Sequence, residues 1–136
     1  MGKKKIKKIL ITGAAGLCGS VLYDGLLRLG YRVIGCDIKK KPSRAANNLG
    51  IKINKNIKIV DLRKLKKVLK ITKGVDAVLH FGGIPRHKPH EDVYYKILDH
   101  NILGTYNVFE SCRANKVKRV IFASSAHAIG YHNRKK

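Results

Sequence analysis

Short apolar runs of strand length alternate along this chain with longer stretches whose apolar positions recur at helical spacing. "KKILIT", residues 7–12, is a continuous apolar run bounded by glycine, the pattern of a strand buried on both faces. Beyond Gly16, the residues Leu17, Val21, Leu22, Leu26 and Leu29 mark one helix, and Gly30 stands where a helix-ending glycine belongs. "YRVIGCD" predicts a second strand ending at Asp37, and "IKIVDL", residues 57–62, a third. Between them, residues 39–56 contain Pro42, Ser43 and the pair Asn47-Asn48, and read as a loop or a weak helix. "RKLKKVLKI" is a short basic helix, and "VDAVLHFGG" a fourth strand that breaks at glycines. A long helix is predicted from about Glu91 to Asn115, with Val93, Ile97, Val108 and Cys112 among its apolar positions, and "KRVIFASS" closes the series as a fifth strand.

Strand and helix in regular alternation predict parallel strands joined by right-handed crossovers, hence an α/β doubly wound sheet of about five strands covered by helices on both faces. In such sheets ligands lie beyond the carboxyl ends of the strands, where the strand order reverses. The unusual residues of this sequence fall at those ends. At 136 residues the chain has the size of one domain, 1–136, with a basic start at 1–8 and a short tail at 126–136. No apolar run approaches the roughly 18 residues that cross a bilayer, and the apolar stretch after "MGKKKIKK" is too short for a signal-peptide core. Three cysteines, Cys18, Cys36 and Cys112, have no metal-like spacing and suit free thiols, so the expectation is a cytoplasmic protein with no metal site.

The net charge of +22 implies attraction to polyanions. The lysines are spread through "GKKKIKK", "IKKKP", "LRKLKKVLK" and "NRKK" without interleaved aromatic residues, so the reading is a lysine-rich surface and no specific nucleic-acid site or membrane partner.

"ITGAAGLCG" places Gly13, Gly16 and Gly19 between the first strand and the first helix. Glycines there serve tight turns in general. Following a strand, opening a helix and preceding Asp37, they point to a dinucleotide whose pyrophosphate rests on the helix N-terminus. Asp37 is either a turn residue at a strand end or a carboxylate accepting hydrogen bonds from an adenosine ribose. In the second role it repels a 2′-phosphate and favours NAD over NADP. From the residues alone, Asp61 is a helix cap before Arg63, Gly82 and Gly83 are a chain break or a place for close ligand approach, Asn101 is a polar helix residue that either sits in water or serves a site, and His127 is a loop histidine.

The spacing Gly-x-x-Gly-x-x-Gly resembles the short-chain dehydrogenase/reductase superfamily. "VDLRKLKKVLKITKGVDAVLHFGG", "NILGTYNVFESCRANKVKRVIFASS" and "AHAIGY" are similar to its extended branch, the NAD-dependent epimerase/dehydratase family, and most like uronate dehydrogenases, over Lys7 to His132. The resemblance implies a Rossmann-type sheet of order 3-2-1-4-5, with NAD as cofactor and a sugar or sugar acid as substrate. Gly13, Gly16, Leu17, Cys18 and Gly19 then match the phosphate turn, Asp37 the ribose carboxylate, Asp61 and Leu62 the pair beside the adenine, and Phe81, Gly82 and Gly83 the lining after the fourth strand. Asn101 and Ser124 fall beside the cofactor, Ser125 matches the catalytic serine, and Arg86 and His127 with Ser125 face the substrate.

In that family a tyrosinate takes the substrate proton and a lysine four residues later assists it, both on a helix some 20 residues or more after the serine. Tyr131 and Lys135 have the required mutual spacing, but Tyr131 follows Ser125 by six positions and Gly130 precedes it. The expectation is that the chain stops before the catalytic helix and the substrate domain. It would then leave an apolar helix face and a strand edge open to a second copy or a complementing chain.

Overall fold

The computed structural model describes residues 6–50, 57–84 and 91–125. Five parallel strands, β1 (Lys8–Thr12), β2 (Arg32–Asp37), β3 (Lys58–Ile59), β4 (Ala77–His80) and β5 (Arg119–Phe122), form one sheet in the order β3-β2-β1-β4-β5. This is the order expected, with its switch point between β1 and β4. The crossovers carry helices α1 (Leu17–Arg28), α2 (Arg44–Asn48) and α3 (Leu65–Thr72), and then a long helix made of α4 (Glu91–Ile97), a π-helical stretch (Leu98–Leu103) and α5 (Gly104–Ala114).

Alternation along the strands divides the core between two faces. Leu10 and Val78 join Val60, Val68, Val75, Val108 and Cys112 under α3 and α5, whereas Ile9, Ile11 and Ala77 join Ala14, Ala15 and Tyr23 under α1. Buried apolar residues on both sides explain why the strands read as unbroken runs. Polar side chains then fasten the helices. Asn115 Nδ2 on the residue after α5 donates to Leu69 O and to Thr72 Oγ1 of α3, both at 2.8 Å. Asp76, just before β4, accepts the backbone N–H groups of Lys7 and Lys8 at 3.0 and 2.9 Å, tying the start of β1 to its neighbour.

The fold differs from the pattern reading in three places. The third strand is only Lys58–Ile59, because the chain turns at Asp61, whose Oδ1 accepts Arg63 N at 3.0 Å. Helix α3 starts later, at Leu65, so Asp61 closes a local turn and does not cap the helix. The stretch after β2 that reads as a loop or a weak helix does contain a short helix, α2, whose N-cap Ser43 accepts Ala46 N at 3.2 Å. The long helix changes to π geometry at Leu98–Leu103. Along it Leu98, Ile102, Tyr106 and Phe109 are exposed, and the edge strand β5 adds exposed Phe122 against Phe109 on this face and exposed Ile121 on the opposite one.

Gly35 of β2 and Gly25 of α1 test how far glycine is a steric requirement. A Cβ on Gly35 would meet the Tyr23 ring at 2.8 Å and Ala14 Cβ at 2.9 Å, whereas one on Gly25 meets nothing within 4 Å. Gly35→Ala should lower stability by about 1–3 kcal/mol through overpacking. Gly25→Ala should raise it by about 1 kcal/mol through helix propensity. Urea midpoints measure both, and equal effects of the same sign would contradict this account.

Candidate functional site

The turn between β1 and α1 is built against the exit of β4. Gly13 has φ +70°, and a Cβ on it would meet the Phe81 carbonyl oxygen at 2.6 Å and Gly82 N at 2.8 Å, so conformation and space both demand glycine. A Cβ on Gly19 would run into the Gly13 carbonyl oxygen. Gly16 differs. Its backbone is extended, with φ −72° and ψ 171°, and a Cβ would touch only Gly13 O, at 3.1 Å. The fold therefore spends two of the three glycines on its own close approaches and leaves the open side of the third to whatever approaches from outside.

Gly16 is also the N-cap of α1. No side chain caps this helix start and no acidic residue lies in its first turn. The N–H groups of Leu17, Cys18 and Gly19 have no intrahelical acceptor. With the positive end of the helix dipole they form a seat for an anion.

Asp37 reaches this turn from the end of β2. Its Oδ2 accepts Ala15 N at 3.0 Å and its Oδ1 accepts Lys39 N at 3.2 Å. Two backbone bonds complete the attachment, Ala14 N to Cys36 O at 3.1 Å and Ser43 N to Ala15 O at 2.8 Å. The carboxylate lies beside the anion seat at the distance one residue sets, and Lys39 contributes its backbone to it.

The remaining walls come from β3, β4 and the long helix. Leu62 packs over Gly82, where a Cβ would meet Leu62 Cδ1 at 2.6 Å, and its carbonyl accepts Asn107 Nδ2 at 2.9 Å. Asn101, in the π-helical stretch, is half-buried and engaged by the chain. Its Oδ1 accepts Ile84 N at 2.7 Å and its Nδ2 donates to Ile84 O at 3.1 Å, which clamps the backbone after Gly83. Asp61 is engaged by the Arg63 guanidinium, with Nη2 2.8 Å from Oδ2 and Nε 2.9 Å from Oδ1, and that guanidinium also lies 4.0 Å from Asp99. These bonds pull the Asp61 carboxyl down to about 2 against the opposing effect of burial.

The pattern reading passed over His80 and Thr12, which are both fully buried at facing register positions of β4 and β1. Gly82 N donates to Thr12 Oγ1 at 3.2 Å, and Thr12 Oγ1 lies 2.6 Å from His80 Nδ1. His80 Nε2 lies 3.0 Å from Thr105 Oγ1 on α5. With Thr12 Oγ1 accepting from Gly82 N, its hydroxyl is free to donate to Nδ1, and in that arrangement Nε2 carries the ring proton and donates to Thr105 Oγ1. The signal was present in "VLHF", since a polar residue inside a buried apolar run must find partners within the protein. Burial pushes the His80 pKa down to about 4.

Ser124 and Ser125 follow β5 and are exposed on the same side of the sheet as the other strand exits. Arg86, His127 and the pair Tyr131 and Lys135 lie outside the described residues. All three cysteines are free thiols. Cys18 is exposed at the glycine turn, whereas burial, reinforced by Asp37, raises Cys36 to about 12. Among the described residues no three His, Cys, Asp or Glu side chains gather as metal ligands, and no helix is long and apolar enough to cross a membrane.

A parallel sheet of this order, with a glycine turn and an uncapped helix at its switch point and a carboxylate on the next strand, defines a Rossmann-type dinucleotide fold. The chain belongs to the NAD dependent epimerase/dehydratase family, whose model matches residues 9–136. It is 36% identical over 125 residues to a uronate dehydrogenase of Pseudomonas syringae pv. tomato, covering 92% of this chain and 42% of that protein. It is 30% identical over 134 residues to a UDP-glucose 4-epimerase of Pisum sativum, covering 91% and 38%. A crystal structure of a uronate dehydrogenase variant from Agrobacterium tumefaciens complexed with NAD matches with a TM-score of 0.74 at 33% identity, covering 93% of this chain and 44% of that one. The chain thus spans less than half the length of these relatives.

The buried histidine gives the fold an acid limit. The unfolded chain takes up a proton on His80 near pH 6.5, the folded chain only near 4. Stability should therefore fall as pH drops from about 6.5 to about 4, by about 3 kcal/mol from this group. Urea unfolding across that range measures it. A His80→Asn variant should lose this part of the slope, and an unchanged slope would contradict the assignment.

Proposed function

We propose that this chain is the NAD-binding portion of an NAD-dependent sugar dehydrogenase or epimerase of uronate type, forming one domain over residues 1–136. The observation that carries the reading is Gly16, an uncapped helix start with an open side that the fold does not itself use, fastened beside Asp37. In this reading the N–H groups of the Gly16–Gly19 turn, with Leu17 and Cys18, hold the pyrophosphate, and Gly13 keeps the turn close to β4. Asp37 still has carboxylate lone pairs for the ribose hydroxyls and opposes a 2′-phosphate. Asp61 and Leu62 flank the adenine, while Phe81, Gly82, Gly83, Asn101 and Ser124 line the remainder.

NAD, when bound, supplies the acceptor for a hydride from a sugar hydroxyl. Ser125 orients that hydroxyl, and Arg86 and His127 are the substrate contacts, Arg86 through a two-pronged pair with a sugar carboxylate. With Tyr131 only six positions after Ser125, the proton-accepting role is not assigned to it, and the chain alone turns over little or no sugar. The exposed row Leu98, Ile102, Tyr106 and Phe109 supports a second copy or a complementing chain over that helix face.

Titration calorimetry with NAD and NADP tests the reading. NAD should bind more tightly than NADP, and no binding of either at millimolar concentration overturns it. Gly16→Val should remain folded and lose NAD, since its side chain enters the phosphate seat, whereas Asp37→Asn should narrow the preference for NAD.

One observation favours a second, weaker property. Lys64, Lys66, Lys67, Lys70 and Lys73 on and around α3 are all exposed, and every salt bridge among the described residues uses an arginine. Such a face attracts polyanions generally, and nucleic-acid affinity should then collapse with rising salt and not differ between sequences.

A further inference from the structure

We infer that His80 is a positioning residue that holds the cofactor-lining backbone at Phe81–Gly83 in register with the exit of β5, and that it acts on NAD affinity through Thr12. The inference rests on the proposed NAD reading and adds a residue that contacts no cofactor in it.

Thr12, His80 and Phe122 occupy facing register positions at the ends of β1, β4 and β5. The sheet alternation sends them to the side covered by α5, as with Leu10 and Val78 two residues earlier. The His80 ring is the hub of this row. One nitrogen meets the Thr12 hydroxyl, which in turn accepts the Gly82 N–H, so the imidazole fixes the direction of the hydroxyl that holds the loop. The other nitrogen meets Thr105 and anchors the ring to α5. The ring packs against Phe122, tilted by 31° at a centroid distance of 5.6 Å, and the His80 carbonyl accepts Ala123 N at 3.0 Å, one residue before Ser124. The side chain thereby ties the glycines beside the phosphate turn, through Thr12, to the Phe122 ring on the strand that delivers the two serines, while the backbone bond to Ala123 is independent of the residue type. An apolar residue of the same size would fill the space, but would leave the Thr12 hydroxyl free to rotate and the Gly82 N–H with an unsteady acceptor.

Two near-isosteric replacements separate the two sides of the ring. The Oδ1 of asparagine takes the place of Nδ1 and keeps the Thr12 contact. The Nε2 of glutamine takes the place of Nε2 and keeps the Thr105 contact. In the full 136-residue chain, His80→Leu and His80→Gln should weaken NAD binding by roughly tenfold, the loss of one buried hydrogen bond. His80→Asn should recover most of that loss, with thermal midpoints of the Asn and Gln variants alike. Amide hydrogen exchange at Gly82, measured without NAD, reads the network directly. Protection should fall in His80→Gln and in Thr12→Val, and hold in His80→Asn and Thr12→Ser.

Equal NAD affinities for folded Asn and Gln variants, or Gly82 protection that ignores these substitutions, overturns the inference while leaving NAD binding by the wild-type chain intact. Wild-type protein with the expected Gly82 pattern but no NAD affinity overturns the functional reading, and with it the link from His80 to the cofactor. Should His80→Asn and His80→Gln both fail to fold, the contrast between Thr12→Val and Thr12→Ser decides the matter by the same two measurements.

Discussion

The turn that follows β1 has to pass the exit of β4 at a distance no side chain permits. Gly13 takes a left-handed conformation with its α-carbon against the Phe81 carbonyl, and Gly19 brings the first turn of α1 back onto Gly13 itself. These two approaches set where α1 begins and which way it points. The helix start lands at the switch point between β1 and β4, with no side chain capping its N–H groups. Neither approach involves a ligand. The anion seat follows from steric closeness in the scaffold, and only Gly16 is left with its open side unspent.

Polar side chains do at the loops what apolar ones do in the interior. The two hydrophobic clusters position strands and helices, but a hydrophobic contact has no direction and cannot hold a loop at a given angle. Asp37 on Ala15, Asn101 on Ile84, Asn107 on Leu62 and the Thr12–His80–Thr105 row each bind backbone or buried hydroxyls with directional bonds. Nearly all act at the carboxyl ends of the strands. The surplus positive charge stands apart from this arrangement. The α3 lysines face solvent, and the ion pair nearest the strand exits, Asp61 with Arg63, is satisfied locally.

Much of this organisation was legible beforehand because it is local. "KKILIT" and "VDAVLHFGG" read as strands since a parallel strand under helices on both faces is apolar throughout, and the alternation of elements implies the crossovers. The glycine spacing with Asp37 pointed to the end of the sheet where the fold brings these residues together. Pattern was less informative at the irregular places. It made β3 six residues long where Asp61 turns the chain after two, and it ran one regular helix through the π-helical stretch that carries Asn101. It also passed over Thr12 and His80, the polar residues inside apolar strands.

The order of amino acids determined the fold class, the strand order through its family resemblance, and the chemistry gathered at the strand ends, because periodicity and glycine placement are properties of neighbours in the chain. Tertiary structure decided which glycine serves the scaffold and which stays open. It also decided that Asn101 clamps Ile84, and that His80 joins Thr12 to Thr105. Each of those outcomes depends on contacts between segments remote in sequence, 68 residues apart for Thr12 and His80, whose distances and directions arise only once β1, β4 and α5 are packed together.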